Sequence, residues 1–253
     1  SLRDNMKKHF RLATMHVCEM KKGQAKVDRC KDINVIQNPA GKLLVLFIKN
    51  TGKRFLKTPP SWEGLAKMKT VMNDLIKPSH QHHTSKGNSY ACGASKFFGR
   101  NKDGSTISYY KTNREGKKLS DEELRRCKEP TIASIRDASK VLETLLGQRF
   151  WQEFKAPQEF AMKASPADVK NEIDRGSGWV NFVANEGVCT GPHKDKDANY
   201  SVLVSAEQKC KATKAKFTFT GLEPFDFSAE PGSIIFYAAS EIEHFQTADP
   251  DFW

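Results

Sequence analysis

The stretch "EPGSIIFYAASEIEHFQT" (residues 230–247) decides the fold that we expect for this chain. Pro231 and Gly232 form a turn signal, and the short apolar run that follows is typical of a buried strand. It is the last of several short β-type runs that turn residues separate, with no helix-length segment between them. These runs are 179–187, 200–207, 216–220, 224–229 and 233–239. Short strands at such close spacing indicate a sandwich, a barrel or a jelly roll.

The first half of the chain carries helical signals instead. Ser61 can cap a helix that Pro78 ends, and Ser120 with Glu123 forms a capping box. The clearest apolar periodicity covers 131–154, with a possible break at Gly147. Three further segments complete the prediction: a hairpin around "NPAG" (33–37 with 42–50), loops over 79–118, and a short helix at 165–176.

The predicted fold class is therefore α+β, with a double-stranded β-helix (jelly-roll) core and a helical N-terminal support. We expect residues 1–130 to supply a hairpin, a helix and a basic loop region that pack on the core. Residues 131–253 would then supply a helix and the jelly roll itself, and the two regions would form one integrated catalytic domain.

The charge of the chain favours a polyanionic partner. Forty-one Lys and Arg against thirty Asp and Glu give a net charge of +11, so nucleic acid is the first candidate. A merely soluble basic surface is the alternative. The sequence has no apolar run long enough to span a membrane and no signal peptide at its start. None of its six cysteines lies in a CxxC pair, so we expect free thiols in a reducing compartment.

Basic residues alternate with aromatic ones in the long loop region at 86–118. Phosphate contacts give affinity and rings stack on bases, so this composition suits binding to DNA. The candidate DNA-binding residues are Lys96, Phe97, Phe98, Arg100 and Lys102. The alternative is a solvated loop whose aromatic rings pack on the core. The nearby cluster of His80, His82 and His83 is interpreted as part of a solvated loop, because no further zinc ligands stand at a suitable spacing.

Two short motifs in the β-rich half predict a metal site. In "GPHKDKDANY" (191–200), His193 and Asp195 are two residues apart, so both side chains point to the same side of an extended segment. His244 follows on a later strand and would supply the third ligand. Two imidazoles and one carboxylate form the facial triad of non-haem Fe(II) oxygenases, which leaves coordination positions open. Asp197 is the rival carboxylate, since it is in phase with both residues.

Together, "GVCTGPHKD" (187–195) and "EPGSIIFYAASEIEHFQT" resemble the core of the 2-oxoglutarate/Fe(II)-dependent dioxygenases over roughly 179–247. Among the branches of that superfamily, the sequence is most similar to the TET/JBP group, which oxidises the methyl group of 5-methylpyrimidines in DNA. The resemblance implies that His193, Asp195 and His244 are the metal ligands and the catalytic centre, with Fe(II) as the metal. It also implies 2-oxoglutarate as co-substrate and methylated duplex DNA, 5-methylcytosine first, as substrate.

Further expectations complete the functional prediction. Candidate pocket residues are Asn181, Tyr200, Ser201 and Phe236. We expect the phenylalanines of this region to fill the barrel rather than contact substrate, and these are Phe217, Phe219, Phe225, Phe227 and also Phe236. We expect a monomer at a nuclear or otherwise intracellular location. The same chemistry on protein, RNA or a small molecule is one alternative, and an inactive jelly roll that binds nucleic acid is another.

The sequence departs from the superfamily at one point, because no Lys or Arg follows His244 to anchor the far carboxylate of 2-oxoglutarate. Three explanations stay open. The C-terminus is truncated, an upstream residue such as Arg100, Arg149 or Arg175 is the anchor, or the co-substrate is ascorbate or another compound. We favour truncation or an atypical anchor.

Overall fold

The protein is a mixed α+β chain with a mostly antiparallel sheet, and the strands that the structure describes do not close it. The computed structural model describes residues 1–9, 13–49, 60, 62–74, 88–93, 117–164, 176–179, 181–186, 189–195, 200–205, 216–222 and 232–247. The described helices are α1 (Leu2–His9), α2 (Glu63–Asp74), α3 (Asp121–Leu146) and α4 (Gln148–Ala164). The described strands are β1 (Met15–Glu19), β2 (Ile33–Gln37), β3 (Leu43–Ile48), β4 (Asn88–Gly93), β5 (Asn181–Glu186), β6 (Ser201–Val204), β7 (Lys216–Phe219), β8 (Ile234–Tyr237) and β9 (His244–Thr247).

The chain divides into two compact units. The first contains residues 1–61, 144–147 and 187–253, and the second contains residues 62–143 and 148–186. In the first unit, a five-stranded sheet has the order β1-β2-β3-β8-β6. Strands β1 and β2 are parallel, and the other neighbours are antiparallel. A smaller sheet pairs β7 with β9.

The predicted hairpin forms, and its turn explains why. The Asn38 side-chain oxygen accepts hydrogen bonds from the backbone N–H of Ala40 and Lys42, at 3.0 and 2.9 Å. Gly41 takes a φ of +79°, which costs a glycine little. Strand β3 is buried along its whole length and pairs with β8 on its other side. The hairpin is thus part of the main sheet, whereas the sequence placed it in a region that packs on the core.

The core of the first unit lies between the two sheets. Phe217 and Phe219 on β7 are buried in one cluster with Val45 and with Ile235 and Tyr237 of β8. Because successive side chains of a strand point to opposite faces, the two phenylalanines project together toward the large sheet. This confirms that these two rings fill the core, as predicted. The arrangement is a sheet packed on a sheet, but the described strands do not close, so a jelly-roll core is not confirmed.

The second unit contains α2, α3 up to residue 143, α4 and the antiparallel pair β4–β5. The capping box is confirmed, since the Ser120 N–H donates to the Glu123 carboxylate at 2.8 Å and the Glu123 N–H donates to Ser120 Oγ at 3.3 Å. An aromatic cluster of Trp151, Phe154 and Trp179 packs with ring centroids 4.8–5.8 Å apart.

Several boundaries differ from the sequence prediction. The main helix begins at Asp121 and contains Pro130, so the predicted boundary between residues 130 and 131 lies inside α3. Gly147, with a φ of +91°, separates α3 from α4 where only a possible break was predicted. Residues 88–93 form a strand although their polar and small residues indicated a loop, because backbone pairing with β5 overrides weak local propensity. The predicted helix at 165–176 and strand at 224–229 lie almost wholly outside the described residues.

None of the helices in the described part of the chain is both long enough and apolar enough to cross a membrane.

The turn at Gly221 gives a test of the fold. A Cβ on Gly221 would lie 1.8 Å from the carbonyl oxygen of Gly23, whereas a Cβ on Gly41 would meet nothing within 4 Å. Both glycines have a φ near +80°. We expect Gly41→Ala to lower the free energy of unfolding by about 1 kcal/mol through backbone strain alone. Gly221→Ala adds a steric clash, so we expect a loss of at least about 3 kcal/mol. Urea unfolding of both variants measures the difference, and equal losses would contradict the described packing.

Candidate metal centre

Two backbone hydrogen bonds place His193 directly beside His244. The His193 N–H donates to the His244 carbonyl oxygen at 3.1 Å, and the His244 N–H donates to the His193 carbonyl oxygen at 2.9 Å. The segment that carries His193 therefore pairs antiparallel with β9. In such a hydrogen-bonded pair the two side chains project to the same face. Residues that are 51 positions apart in the chain thus become neighbours, with ring centroids 4.5 Å apart.

An extra residue next to this pair redirects the chain into the site. The Thr190 N–H donates to the Gln246 carbonyl oxygen at 2.9 Å. Between this contact and the His193–His244 pair, the segment advances by three residues, whereas β9 advances by two. Gly191 and Pro192 therefore lie opposite the single residue Phe245. Such bulges commonly re-aim a side chain beside a functional site.

Asp195 completes the cluster. Its Oδ1 lies 3.6 Å from Nε2 of His193, and its Oδ2 lies 3.4 Å from Nε2 of His244. One ligand atom from each of the three residues lies within 4.8 Å of the others. Bonds of about 2.1 Å from nitrogen and oxygen to a metal put neighbouring ligand atoms roughly 3 Å apart. The Asp195 N–H donates to the Ala239 carbonyl oxygen at 3.0 Å, which fixes its backbone. The three predicted ligands are thus brought together at a spacing that suits one metal ion.

Both imidazoles are oriented by backbone carbonyl groups. Nδ1 of His193 lies 2.7 Å from the Gly191 carbonyl oxygen, and Nδ1 of His244 lies 3.1 Å from that of Ile242. A carbonyl oxygen only accepts hydrogen bonds, so each Nδ1 must carry the proton. The lone pair of each neutral ring is then on Nε2, the atom that faces Asp195. Metal-binding histidines are commonly held by such a bond from their other nitrogen.

The two histidines differ strongly in their surroundings. The side chain of His244 is 3% exposed, whereas those of His193 and Asp195 are 40% and 34% exposed. The His244 ring packs against Tyr237 at 4.9 Å, Phe217 at 5.6 Å and Phe219 at 6.3 Å between centroids. One side of the cluster is therefore closed by aromatic rings, and solvent reaches it from the side of His193 and Asp195.

The predicted pocket residues divide between the two faces of the large sheet. Ser201 stands opposite Tyr237 in the β6–β8 pair and so shares the face of the metal centre. Phe236 precedes Tyr237 in β8, so its side chain lies on the opposite face, where Tyr200 stacks on it with ring centroids 4.7 Å apart. The Tyr200 hydroxyl donates to the Leu43 carbonyl oxygen at 2.8 Å. Tyr200 and Phe236 are thus packed on the face away from His244, because strand alternation separates Phe236 from Tyr237.

Burial also changes the chemistry of Tyr200. Removal from water, together with the charge of Glu241, raises the pKa of Tyr200 to about 12. The phenol therefore stays a neutral hydrogen-bond donor into the alkaline pH range, which fits its bond to the Leu43 carbonyl and a structural role.

The other predicted residues belong to the second unit or lie outside the described residues. Asn181 begins β5 in the second unit. The guanidinium of Arg149, one of the anchors considered for 2-oxoglutarate, is exposed and pairs with Glu153 at 3.3 Å. The remaining candidates lie outside the described residues: Lys96, Phe97, Phe98, Arg100, Lys102, Arg175, Asp197 and the histidines 80, 82 and 83.

Sequence reasoning missed the rest of the wall beside His244. It named Phe217 and Phe219 as core residues, but it did not connect them, Tyr237 or Gln246 with the metal centre. The alternation of side chains in β7 and β9 could have indicated which residues lie beside His244, but only with the register of the two strands, which the sequence does not give.

No protein-family model matches this sequence, and a search of curated proteins also finds no match.

The proton positions on the imidazoles give a direct test of the site. We expect neutral His193 and His244 to carry the proton on Nδ1, because a carbonyl group accepts from that atom in each ring. His16 is the matched control, since its Nε2 lies 3.0 Å from the Lys26 carbonyl oxygen and must carry the proton there. Two-bond 15N–1H correlation spectra of the metal-free protein distinguish the tautomers. The same tautomer at all three histidines would contradict the geometry.

Metal titration tests the ligand set. We expect His193→Ala and Asp195→Ala each to weaken the binding of Fe(II) or Co(II) by at least about a hundredfold, because each removes one of three protein ligands. Lys194→Ala is the control, since this exposed residue lies between the two ligands in sequence and is not a ligand itself. Anaerobic titration followed by absorption or calorimetry measures the affinities. If both ligand variants bind metal as tightly as the parent, the assignment is wrong.

Proposed function

We propose that this chain is an Fe(II)-dependent dioxygenase that oxidises the methyl group of a 5-methylpyrimidine in DNA, with 5-methylcytosine as the first candidate. The observation that carries the proposal is the convergence of two Nε2 atoms and one carboxylate, with both rings already held in the metal-binding tautomer. Two histidines and one carboxylate are the ligand set of non-haem iron oxygenases.

The residues of this chain would divide the work at the centre. His193, Asp195 and His244 would hold Fe(II) and leave positions open for co-substrate and oxygen. Iron bound in this way supplies the oxidising chemistry that an unreactive methyl group requires. The buried His244 would fix the ion against the aromatic wall of Phe217 and Tyr237. The partial exposure of His193 and Asp195 leaves that side of the centre for the substrate.

A jelly-roll core is the finer fold that we propose. Strand β8 lies in the large sheet, β9 lies in the small one, and the phenylalanines of β7 fill the space between them. A jelly roll is built from two such facing sheets, with a site at the open end. The segment that carries His193 also pairs with β9, so it extends the small sheet by one more backbone segment.

DNA is the favoured substrate for electrostatic reasons. A net charge of +11 attracts the phosphate backbone, and the predicted basic and aromatic residues at 96–102 would add phosphate contacts and stacking. A base inside a duplex cannot reach a half-buried centre, so the target nucleotide must turn out of the stack, at a cost of a few kcal/mol.

The co-substrate is proposed as 2-oxoglutarate, by the resemblance alone. Its far carboxylate needs a cationic partner, and Arg149, one candidate, is exposed and pairs with Glu153. Ascorbate or another co-substrate is therefore tested beside it.

The proposal is tested by incubating methylated duplex DNA with the protein, Fe(II) and oxygen, with either 2-oxoglutarate or ascorbate added. Nucleosides are then analysed by mass spectrometry. We expect oxidised 5-methylcytosine from the parent and from Lys194→Ala, and a rate at least about a hundredfold lower from Asp195→Ala, because loss of the metal removes several kcal/mol of catalysis.

The other outcomes identify the rival functions. Unchanged nucleosides beside oxidation of a peptide, RNA or small molecule would favour another substrate of the same chemistry. Salt-sensitive DNA binding without oxygen consumption would favour a nucleic-acid-binding protein that does not catalyse. A preference for Zn²⁺ over Fe(II), with hydrolysis instead of oxygen uptake, would overturn the oxygenase proposal, since zinc also accepts this ligand set.

A further inference from the structure

We propose that Gln246 forms an uncharged hydrogen-bonding subsite beside the metal centre, and that this subsite recognises the edge of a pyrimidine base. The inference rests on the proposed function, because it names how the same site would select its substrate.

The register of the small sheet places Gln246 on the same face as the metal ligand His244. Phe219 stands opposite His244, and Phe217 stands opposite Gln246. Directly opposite residues share a face, and both phenylalanines are buried in the core cluster. The alternate residues Lys216 and Thr247 are exposed on the other face. The side chain of Gln246 therefore projects toward the interior side of the sheet, where the metal ligands lie.

The position along β9 suits a substrate group next to the metal. Two residues of an extended strand cover about 6.6 Å, so the side chains of His244 and Gln246 leave the sheet about that far apart. Phe217 bridges the interval, since it is the cross-strand neighbour of Gln246 and its ring stacks on His244 at an interplanar angle of 23°. A flat ring placed between the metal and Gln246 would thus lie against an aromatic wall.

The amide of Gln246 is available for a ligand. Its backbone N–H donates to Thr190 Oγ1 at 3.0 Å, but its side chain has no hydrogen-bond partner among the residues that the structure describes. The residue is half-buried. A polar group in such a position gains from a partner that brings complementary donors and acceptors.

The side of the site toward His193 is open to solvent. The side chains of His193 and Asp195 are 40% and 34% exposed, whereas that of His244 is 3% exposed. A substrate can therefore approach from the side of His193 and Asp195.

The chemistry of the amide favours a base over a carboxylate. Glutamine offers one acceptor and two donors without charge, which matches the adjacent donors and acceptors of a base edge. A flipped base is commonly recognised by such contacts together with an apolar or aromatic wall. The far carboxylate of an oxo acid would instead need a cation, which Gln246 does not provide. The geometry thus assigns Gln246 to substrate and not to co-substrate.

The test uses the full chain loaded with Co(II), whose absorption reports ligands that enter near the metal. The probe is a single-stranded oligonucleotide with one 5-methylcytosine, and its control has an abasic position there. Gln246→Met keeps the size of the side chain and removes its donors and acceptor. Thr247→Ala is the matched control on the outer face of the same strand. We expect about tenfold weaker binding of the 5-methylcytosine probe by Gln246→Met, with an unchanged Co(II) affinity. Thr247→Ala should bind like the parent.

Each contrary result overturns the subsite. These results are equal binding by Gln246→Met and parent, loss of Co(II) affinity in Gln246→Met, or a parent that does not distinguish the two probes. Oxidation measured on matched Fe(II) samples separates this inference from the proposed function. Base binding that depends on Gln246, without any oxidation, would support the subsite and contradict the dioxygenase proposal. Oxidation with an unchanged KM in Gln246→Met would support the dioxygenase proposal and contradict the subsite.

Discussion

The candidate centre depends on the reciprocal backbone bonds between His193 and His244. They join a segment after β5 to the last described strand, and they bring the two rings to 4.5 Å between centroids. Backbone pairing is directional and fixes which face a side chain uses. With this pair in place, Asp195 follows by the two-residue period of an extended segment. A slip of one residue in this pairing would turn one imidazole away from the other, so the register itself is the constraint on which metal binding rests.

Around this pair, the chain arranges polar backbone and apolar rings for different tasks. The carbonyl groups of Gly191 and Ile242 set the tautomers, while Phe217, Phe219 and Tyr237 close one side of the site. The same rings belong to the core between the two sheets. The contacts that stabilise the first unit therefore also hold His244 in position. The more exposed His193 and Asp195 lie where ligands can approach, and this asymmetry gives the centre a closed side and an open side.

Much of this could be predicted from particular residues. The hairpin was predicted because Asn, Pro and Gly mark its turn, and the capping box at Ser120 was predicted because its pattern is local. The three candidate metal ligands were named from residue type, a two-residue spacing and a distant histidine. The strand β4 and the membership of the hairpin in the main sheet were missed, since both depend on partners far away in the chain. The assignment of Tyr200 and Phe236 to a pocket lacked the same information, because alternation does not tell which face meets the site.

The sequence by itself determined the short-range features: the turns, the capping box, the choice of candidate ligands and the common face of His193 and Asp195. These follow from the conformational preferences of a few adjacent residues. Only the tertiary structure decided which strands pair, which nitrogen of each imidazole faces the carboxylate, and that Phe217 and Gln246 share the face of His244. The strand pairing and the common face are fixed by backbone hydrogen bonds between segments that are many residues apart. The Nδ1 bonds join each ring to a carbonyl group two residues earlier, but Nε2 of His244 reaches Asp195 only through that pairing.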